Sequence, residues 1–261
     1  MKYLLVSDIH GRKNVFLGLL TLLDGRGWTL EFGSDGHCYL HHESESLIFC
    51  GDNNDRGEWS LPVTYIALSS MVTPSLLREN TSSVTTLMGN HDIKLFKYFT
   101  KGYRNPRFGF DITMAQLEDE NSETEASFIQ KHIEKVPYWF VGRKFLAVHA
   151  YWSNPVPNKE QAIYGITEPK VKGGGLPKRI KWWELDQTPD KWIFFGHYHM
   201  LGEGLSLREG FTCLDNHDGG VHIVAEFDDT RGQLIKHHDI GAVDTNANLV
   251  RATLGVFKGR Y

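Results

Sequence analysis

The 261-residue chain has little of what marks a secreted, membrane-spanning or nucleic-acid-coating protein. It has only three cysteines, Cys38, Cys50 and Cys213, an odd count at wide spacing that makes no disulfide framework. No apolar run approaches the roughly 20 residues that a membrane helix needs. The opening Met1–Val6 stretch is apolar only briefly before Asp8 and His10, which reads as a first strand and not as a signal peptide. Net charge is −4, so no global basic field exists and non-specific nucleic-acid binding is not expected. Linkers rich in Ser, Gly and Pro are missing, and so are solenoid repeats and any GxxxxGK[ST] loop of a kinase. What remains is the expectation of one domain over residues 1–261, in a reducing cytoplasmic setting, with no membrane partner. A hydrophobic content of 41% is enough for one large core.

Apolar periodicity orders the chain. Tyr3–Val6 reads as a central buried strand, followed by a helix over Lys13–Leu23. Trp28–Leu40 reads as a small β excursion. Ser46–Cys50 and Val84–Met88 read as further buried strands, with a helix around Leu61–Met71 between them and another opening over His91–Phe99. Asp111–Lys135 reads as a polar, solvated helical excursion. Phe140–Val141 and Phe145–Val148 suggest a hairpin, Pro155–Lys181 a basic loop, and Trp192–Phe195 another strand. Phe211–Leu214, Val221–Phe227 and Leu234–Asp239 suggest a closing antiparallel set. The expected class is α/β (α+β): a two-sheet β-sandwich flanked by helices, with a site at the strand C-terminal ends.

Five motifs follow these apolar runs. They are Asp8-Ile9-His10-Gly11, Gly51-Asp52-Asn53-Asn54-Asp55-Arg56-Gly57, Gly89-Asn90-His91-Asp92, Val148-His149-Ala150 and Gly196-His197-Tyr198-His199. Of 13 histidines, five (His10, His91, His149, His197 and His199) stand just after a strand-like run. One histidine in that register is an ordinary core residue. Five, with Asp8, Asp52 and Asn90 placed likewise, point to a metal centre.

Two cations roughly 3.5–4 Å apart need a shared anionic ligand. Asp52 is the natural bridge, because it ends a buried strand beside a glycine. Asp8, His10 and His199 can fill one metal position, and Asn90, His149 and His197 the other. Side chains two apart at a strand end point the same way, which suits Asp8 with His10 and His197 with His199. The imidazole and oxygen donors favour two divalent transition-metal ions: Mn²⁺ first, with Fe, Zn or Ni as alternatives. No cysteine joins the set, which argues against a structural zinc site. His91 is left to act as a general acid, Asp55 to hold its ring, and Arg56 to grip a phosphate.

These motifs resemble the calcineurin-like metallophosphoesterases. GDNNDRG is similar to the GDxxDRG element of the phosphoprotein-phosphatase branch. Tyr164-Gly165-Ile166-Thr167 and Gly175-Leu176-Pro177-Lys178-Arg179 resemble the bacterial subgroup of PrpE-type phosphatases and of the phosphatase module of polynucleotide kinase-phosphatase. Cys213-Leu214-Asp215-Asn216 is similar to that subgroup's closing strand. The subgroup resemblance implies Arg179 as a second phosphate clamp, on a loop that also carries Lys170, Lys172, Lys178 and Lys181. The chain departs from the phosphoprotein branch at Asp92, where that branch usually has Glu, at Ala150-Tyr151, and in having His199.

The leading expectation is a metal-dependent phosphatase that hydrolyses phosphate monoesters by direct water attack. Its partner would be a phosphorylated protein, nucleotide or nucleic-acid end. The alternative is a dinucleoside polyphosphate hydrolase of the diadenosine tetraphosphate type, which the extra cations would suit. Tyr151, Trp152, Trp182 and Trp183 could stack a base or fill the core. A non-catalytic scaffold of the same fold should have lost ligands or His91, and this chain has kept them.

Overall fold

The computed structural model describes residues 1–76, 83–153, 157–169, 178–185, 189–198, 206–215, 222–240 and 242–258. Strand β1 (Lys2–Val6) lies at the centre of a five-stranded sheet ordered β12-β11-β1-β4-β5. Its neighbours are β4 (Glu45–Phe49), β5 (Val84–Thr86), β11 (Ile223–Asp228) and β12 (Gln233–Asp239). β1, β4 and β5 run parallel, and β11 runs antiparallel to β1. A second five-stranded sheet is ordered β6-β7-β8-β10-β9. It holds β6 (Trp139–Val141), β7 (Phe145–Val148), β8 (Trp192–Phe195), β9 (Ser206–Arg208) and β10 (Phe211–Cys213). Here β7, β8 and β10 are the parallel set. The Trp28–Leu40 excursion is a hairpin of β2 (Thr29–Phe32) and β3 (Cys38–His41).

The two-residue period of a strand explains how the layers pack. On β1, Leu4 and Val6 face the helical layer, while Leu5 faces the other sheet. The seam between the sheets holds Leu5, Ile48, Leu87 and Ala225 against Ala147, Phe145 and Phe194. The rings of Phe145 and Phe227 lie 5.3 Å apart. Outside the first sheet pack α1 (Lys13–Asp24), α2 (Ser60–Leu76) and the C-terminal α7 (Asn248–Val256). α1 buries Phe16, Leu19, Leu20 and Leu23, a helical spacing. Pro62 sits in the first turn of α2, where its missing N–H costs nothing.

Several expectations are corrected. The late strands do not form one closing set: β10 joins the second sheet beside β8, and only β11 and β12 close the first. Strand partners are set by distant residues, which apolar patterning does not reveal. The 155–181 stretch contains a capped helix, α6 (Lys159–Tyr164), in which Asn158 and Gln161 form a capping box. The polar 111–135 stretch is helical, as α4 (Phe110–Leu117) and α5 (Glu123–His132). It is more than a solvated excursion, because Phe110, Thr113, Phe128 and Ile129 are buried against the core. Tyr151, Trp182 and Trp183 are core residues over the outer face of the second sheet, with Trp152 packed against them.

Candidate metal centre

Each motif begins where a parallel strand ends. Asp8 and His10 follow β1, Asp52 to Arg56 follow β4, and Asn90 and His91 follow β5. His149 follows β7 and His197 follows β8, so the second sheet reaches the same edge. Backbone hydrogen bonds join the loops. Asp8 N–H donates to Gly51 O at 3.1 Å, His10 N–H to Asp52 O at 2.9 Å, and Gly196 N–H to His149 O at 2.8 Å. A side chain at Gly196 would collide with Ser7 Oγ and Asp8 Oδ2, so only glycine lets the two sheets meet here.

Among the described residues, seven non-glycine residues have positive φ. Six of them are predicted site residues: Asp8, His10, Asp52, Asp55, Arg56 and His197, at φ between 53° and 69°. Such conformations cost roughly 1–3 kcal/mol each and persist where the surroundings over-determine them. Here they turn successive side chains inward to one point.

Asp52 occupies that point. Its Oδ2 lies 3.8 Å from His10 Nε2, 3.5 Å from His149 Nε2 and 3.9 Å from His91 Nε2. Asp8 Oδ1 is 3.7 Å from His10 Nε2, and Asn90 Oδ1 is 3.0 Å from His149 Nε2. His10, Asp52 and His91 form one group of ligand atoms within 4.8 Å of one another, and Asp52, His149 and His197 form another. Two atoms bound to one transition metal at about 2.0–2.2 Å lie roughly 3–4 Å apart. The spacings around Asp52 therefore fit two ions that share its carboxylate. The imidazoles are prepared for this. His149 Nδ1 meets Cys50 O at 2.9 Å, and His10 Nδ1 meets Asn54 O at 3.2 Å. A carbonyl only accepts, so each Nδ1 donates and each Nε2 is the nitrogen suited to bind a metal.

Electrostatics agrees with the donor set. Burial, then the nearby Asp215 and Asp52 carboxylates, push the Asp8 carboxyl well above its usual range. Burial pushes His10 well down, helped by His91 and Arg56, and it also lowers His149. Neutral imidazoles are the form that binds metal, and crowded carboxylates are relieved by cations placed between them.

The predicted acid residue belongs to the first of these ligand groups, but its Nδ1 has a partner of its own. His91 Nδ1 lies 2.6 Å from Asp55 Oδ2, while Arg56 reaches within 3.4 Å of His91 Nε2. Arg179 donates to His197 O at 2.8 Å and lines the same cavity of about 610 Å³ as Asp8, Asp52 and His91. His199 lies outside the described residues, as do Lys170, Lys172 and Gly175 to Pro177.

Four supporting residues were not singled out as site residues from sequence. Asp92 accepts from the backbone N–H groups of Asp52, Asn53 and Gly89 at 2.7, 3.1 and 3.0 Å, tying the second loop to the third. Lys94 lies 2.7 Å from Asp55 Oδ2 and 3.0 Å from His91 Nδ1. Thr113 donates to Asp55 Oδ1 at 2.7 Å. Asp215 follows β10 and is buried beside Asp8. Position just after a strand was a signal for Asp215, and one helical turn from His91 was a signal for Lys94. Thr113 had none.

A family profile described as calcineurin-like phosphoesterase matches residues 1–225. The chain belongs to this family. It is therefore a hydrolase that acts on phosphoester bonds, and the residues around Asp52 suit the divalent ions of such phosphoesterases. The chain is 28% identical over 209 residues to a bis(5'-nucleosyl)-tetraphosphatase PrpE [asymmetrical] of Halalkalibacterium halodurans, covering 76% of this chain and 78% of that one. The PrpE protein of Bacillus subtilis is 25% identical, with 76% and 79% covered. Among solved structures, a cold-active protein-tyrosine phosphatase of a Shewanella species aligns with a TM-score of 0.53 at 16% identity, covering 92% of this phosphoesterase and 80% of that chain. A protein serine/threonine phosphatase of Saccharomyces cerevisiae aligns with a TM-score of 0.52 at 16% identity, covering 94% and 81%. Both structures share the fold. Among the described residues, no helix is long and apolar enough to cross a membrane.

Proposed function

We propose that this phosphoesterase hydrolyses dinucleoside polyphosphates, with Asp8, His10, Asp52, Asn90, His149, His197 and His199 holding two divalent ions, Mn²⁺ the first to test. The observation that carries this reading is the cavity at the centre. Its volume is about 610 Å³, and Arg56, Lys94, Lys97, Arg107 and Arg179 line it. Pockets of about 300–1,000 Å³ take whole drug-sized ligands, so there is room beyond one phosphate. Five cations suit several linked phosphates. The PrpE relatives carry a tetraphosphatase name, which supports the same substrate.

When bound, the ions would lower the pKa of the attacking water and neutralise phosphoryl oxygens. The chain's own residues do the rest. Arg56 and Arg179 hold the phosphate chain and orient the reacting phosphorus. Water adds to that phosphorus and releases one proton to solvent, and the bond from phosphorus to the bridging oxygen breaks. His91 gives its Nε2 proton to the departing oxygen, while Asp55 holds the ring through Nδ1. Three buried free thiols agree with a reducing, cytoplasmic setting.

The second reading is a phosphate monoesterase. The His91–Asp55 pair favours it, because a positioned proton donor matters most for a poor alkoxide leaving group. A Mn²⁺-supplemented panel separates the two: diadenosine tetraphosphate, p-nitrophenyl phosphate, a phosphopeptide and a 3′-phosphorylated oligonucleotide, with Asp52→Asn as control. Fast cleavage of the dinucleotide with a weak monoester rate is expected, and the reverse ranking would establish the monoesterase. Two bound metals with no turnover on any substrate would revive the scaffold.

A further inference from the structure

We propose that the loop Asn105–Gly109 is a nucleoside-binding ledge, and that the ring of Phe108 is the surface on which a base of the substrate stacks. The inference rests on the polyphosphate reading above and assigns the distal end of that substrate a place. Phe108 is 70% exposed, the most exposed large apolar side chain among the described residues. It is not at a remote surface, because it lines the same cavity as Asp52 and His91. Its backbone is left-handed, at φ 62° and ψ 34°, an uncommon conformation for a bulky residue. That turn directs Phe108 out into the cavity while its near neighbour Phe110 is fully buried.

The loop is fixed to the chemistry at its far end. Arg56 N–H donates to Gly109 O at 3.4 Å. Gly109 has φ 82°, and a Cβ there would meet Arg56 N at 2.5 Å. The ledge is thus pressed directly onto the turn that carries Asp55 and Arg56. Lys94 fills the interval: its Nζ is 2.7 Å from Asp55 Oδ2 and 5.5 Å from the Phe108 ring centroid. A ligand that reacts beside His91 and extends past Lys94, in a cavity that Lys97 and Arg107 also line, meets Phe108. That order of groups, acid and then cations and then an open aromatic face, matches a phosphate chain ending in a nucleoside. Base stacking on an aromatic side chain tolerates any base, because every base has a π-face.

The test measures binding apart from turnover. A non-hydrolysable methylene-bridged analogue of diadenosine tetraphosphate is titrated calorimetrically into the metal-loaded chain, with Phe108 intact or replaced. Phe108→Asn removes the ring and keeps a residue that tolerates the left-handed conformation. Phe108→Trp restores a stacking surface. Loss of the ring should weaken binding roughly ten-fold or more, and Trp should recover it. Inorganic tripolyphosphate, which has no base, should bind both variants alike. Equal binding of the dinucleotide to the Phe and Asn forms overturns the ledge, as does an equal loss for tripolyphosphate, which would make Phe108 a mere support for the site. Failure of the substrate reading looks different: the wild type would bind the analogue but leave diadenosine tetraphosphate itself intact.

Discussion

Lys94 holds its ammonium 2.7 Å from Asp55 Oδ2. The same oxygen meets His91 Nδ1 at 2.6 Å, so one buried carboxylate serves both the ring and the ammonium. Asp55 therefore orients the proposed acid and also anchors the first cation of the cavity wall. Groups that act as one unit are not additive when removed. His91→Ala should cut turnover about 10²–10⁴-fold on substrates with poor leaving groups. Asp55→Asn should cut it by less, and the double variant should be no slower than His91→Ala alone. Steady-state rates on an alkyl phosphate check this. A double variant slower by the product of the two effects would mean that Asp55 acts independently of His91.

Thr113 extends that unit into helix α4. Its hydroxyl donates to Asp55 Oδ1 at 2.7 Å and accepts from Asp55 N–H at 3.1 Å, and the residue is fully buried. Thr113→Val keeps the shape and removes both bonds. A buried polar group that loses its partner costs about 1–3 kcal/mol. The urea midpoint should fall accordingly, and turnover should fall with it because Asp55 loses its seat. Unchanged turnover at lower stability would restrict Thr113 to folding.

How much of this was legible from sequence depends on the length scale of each contact. The candidate ligands could be named because each stands just past an apolar strand and carries a donor atom, so Asp8, Asp52 and His149 needed no partner to be proposed. Lys94 and Thr113 act on Asp55 from 39 and 58 residues away, distances that no local pattern encodes. Helix α4 read as solvated because few positions face inward, yet two of them, Phe110 and Thr113, are completely buried. The pairing of β10 with β8 was hidden for the same reason: a three-residue strand looks alike in either sheet.

Asp52 is tested best by its own geometry. Its Oδ1 accepts from His91 N–H at 2.8 Å, and its Oδ2 faces the imidazoles. In Asp52→Asn the amide oxygen must keep the bond to His91 N–H. The NH₂ group is then turned toward the cation positions, where it offers protons in place of a lone pair. Both ions should be lost together. Elemental analysis after dialysis reads this directly, and retention of one ion at full occupancy would show that Asp52 does not bridge.

Far from the centre, Glu226 links acid stability to the first sheet. Burial alone would push its carboxyl up, but hydrogen bonds from Arg26 and His238 outweigh burial and pull it down to about 2. Arg26 donates to Oε2 at 3.0 Å and to Oε1 at 3.1 Å, and His238 Nε2 lies 2.9 Å from Oε2. A depressed folded-state value means that the unfolded chain binds more protons between pH 4.5 and about 2. The stability from Glu226 is therefore fully present above the upper value and is lost as pH falls through the lower one. In Glu226→Gln this part of the acid slope should disappear, and the chain should be less stable than wild type at neutral pH. Urea unfolding at several pH values checks both. An acid slope identical to that of the wild type would show that the Arg26–Glu226 pair persists in the unfolded chain or contributes nothing to it.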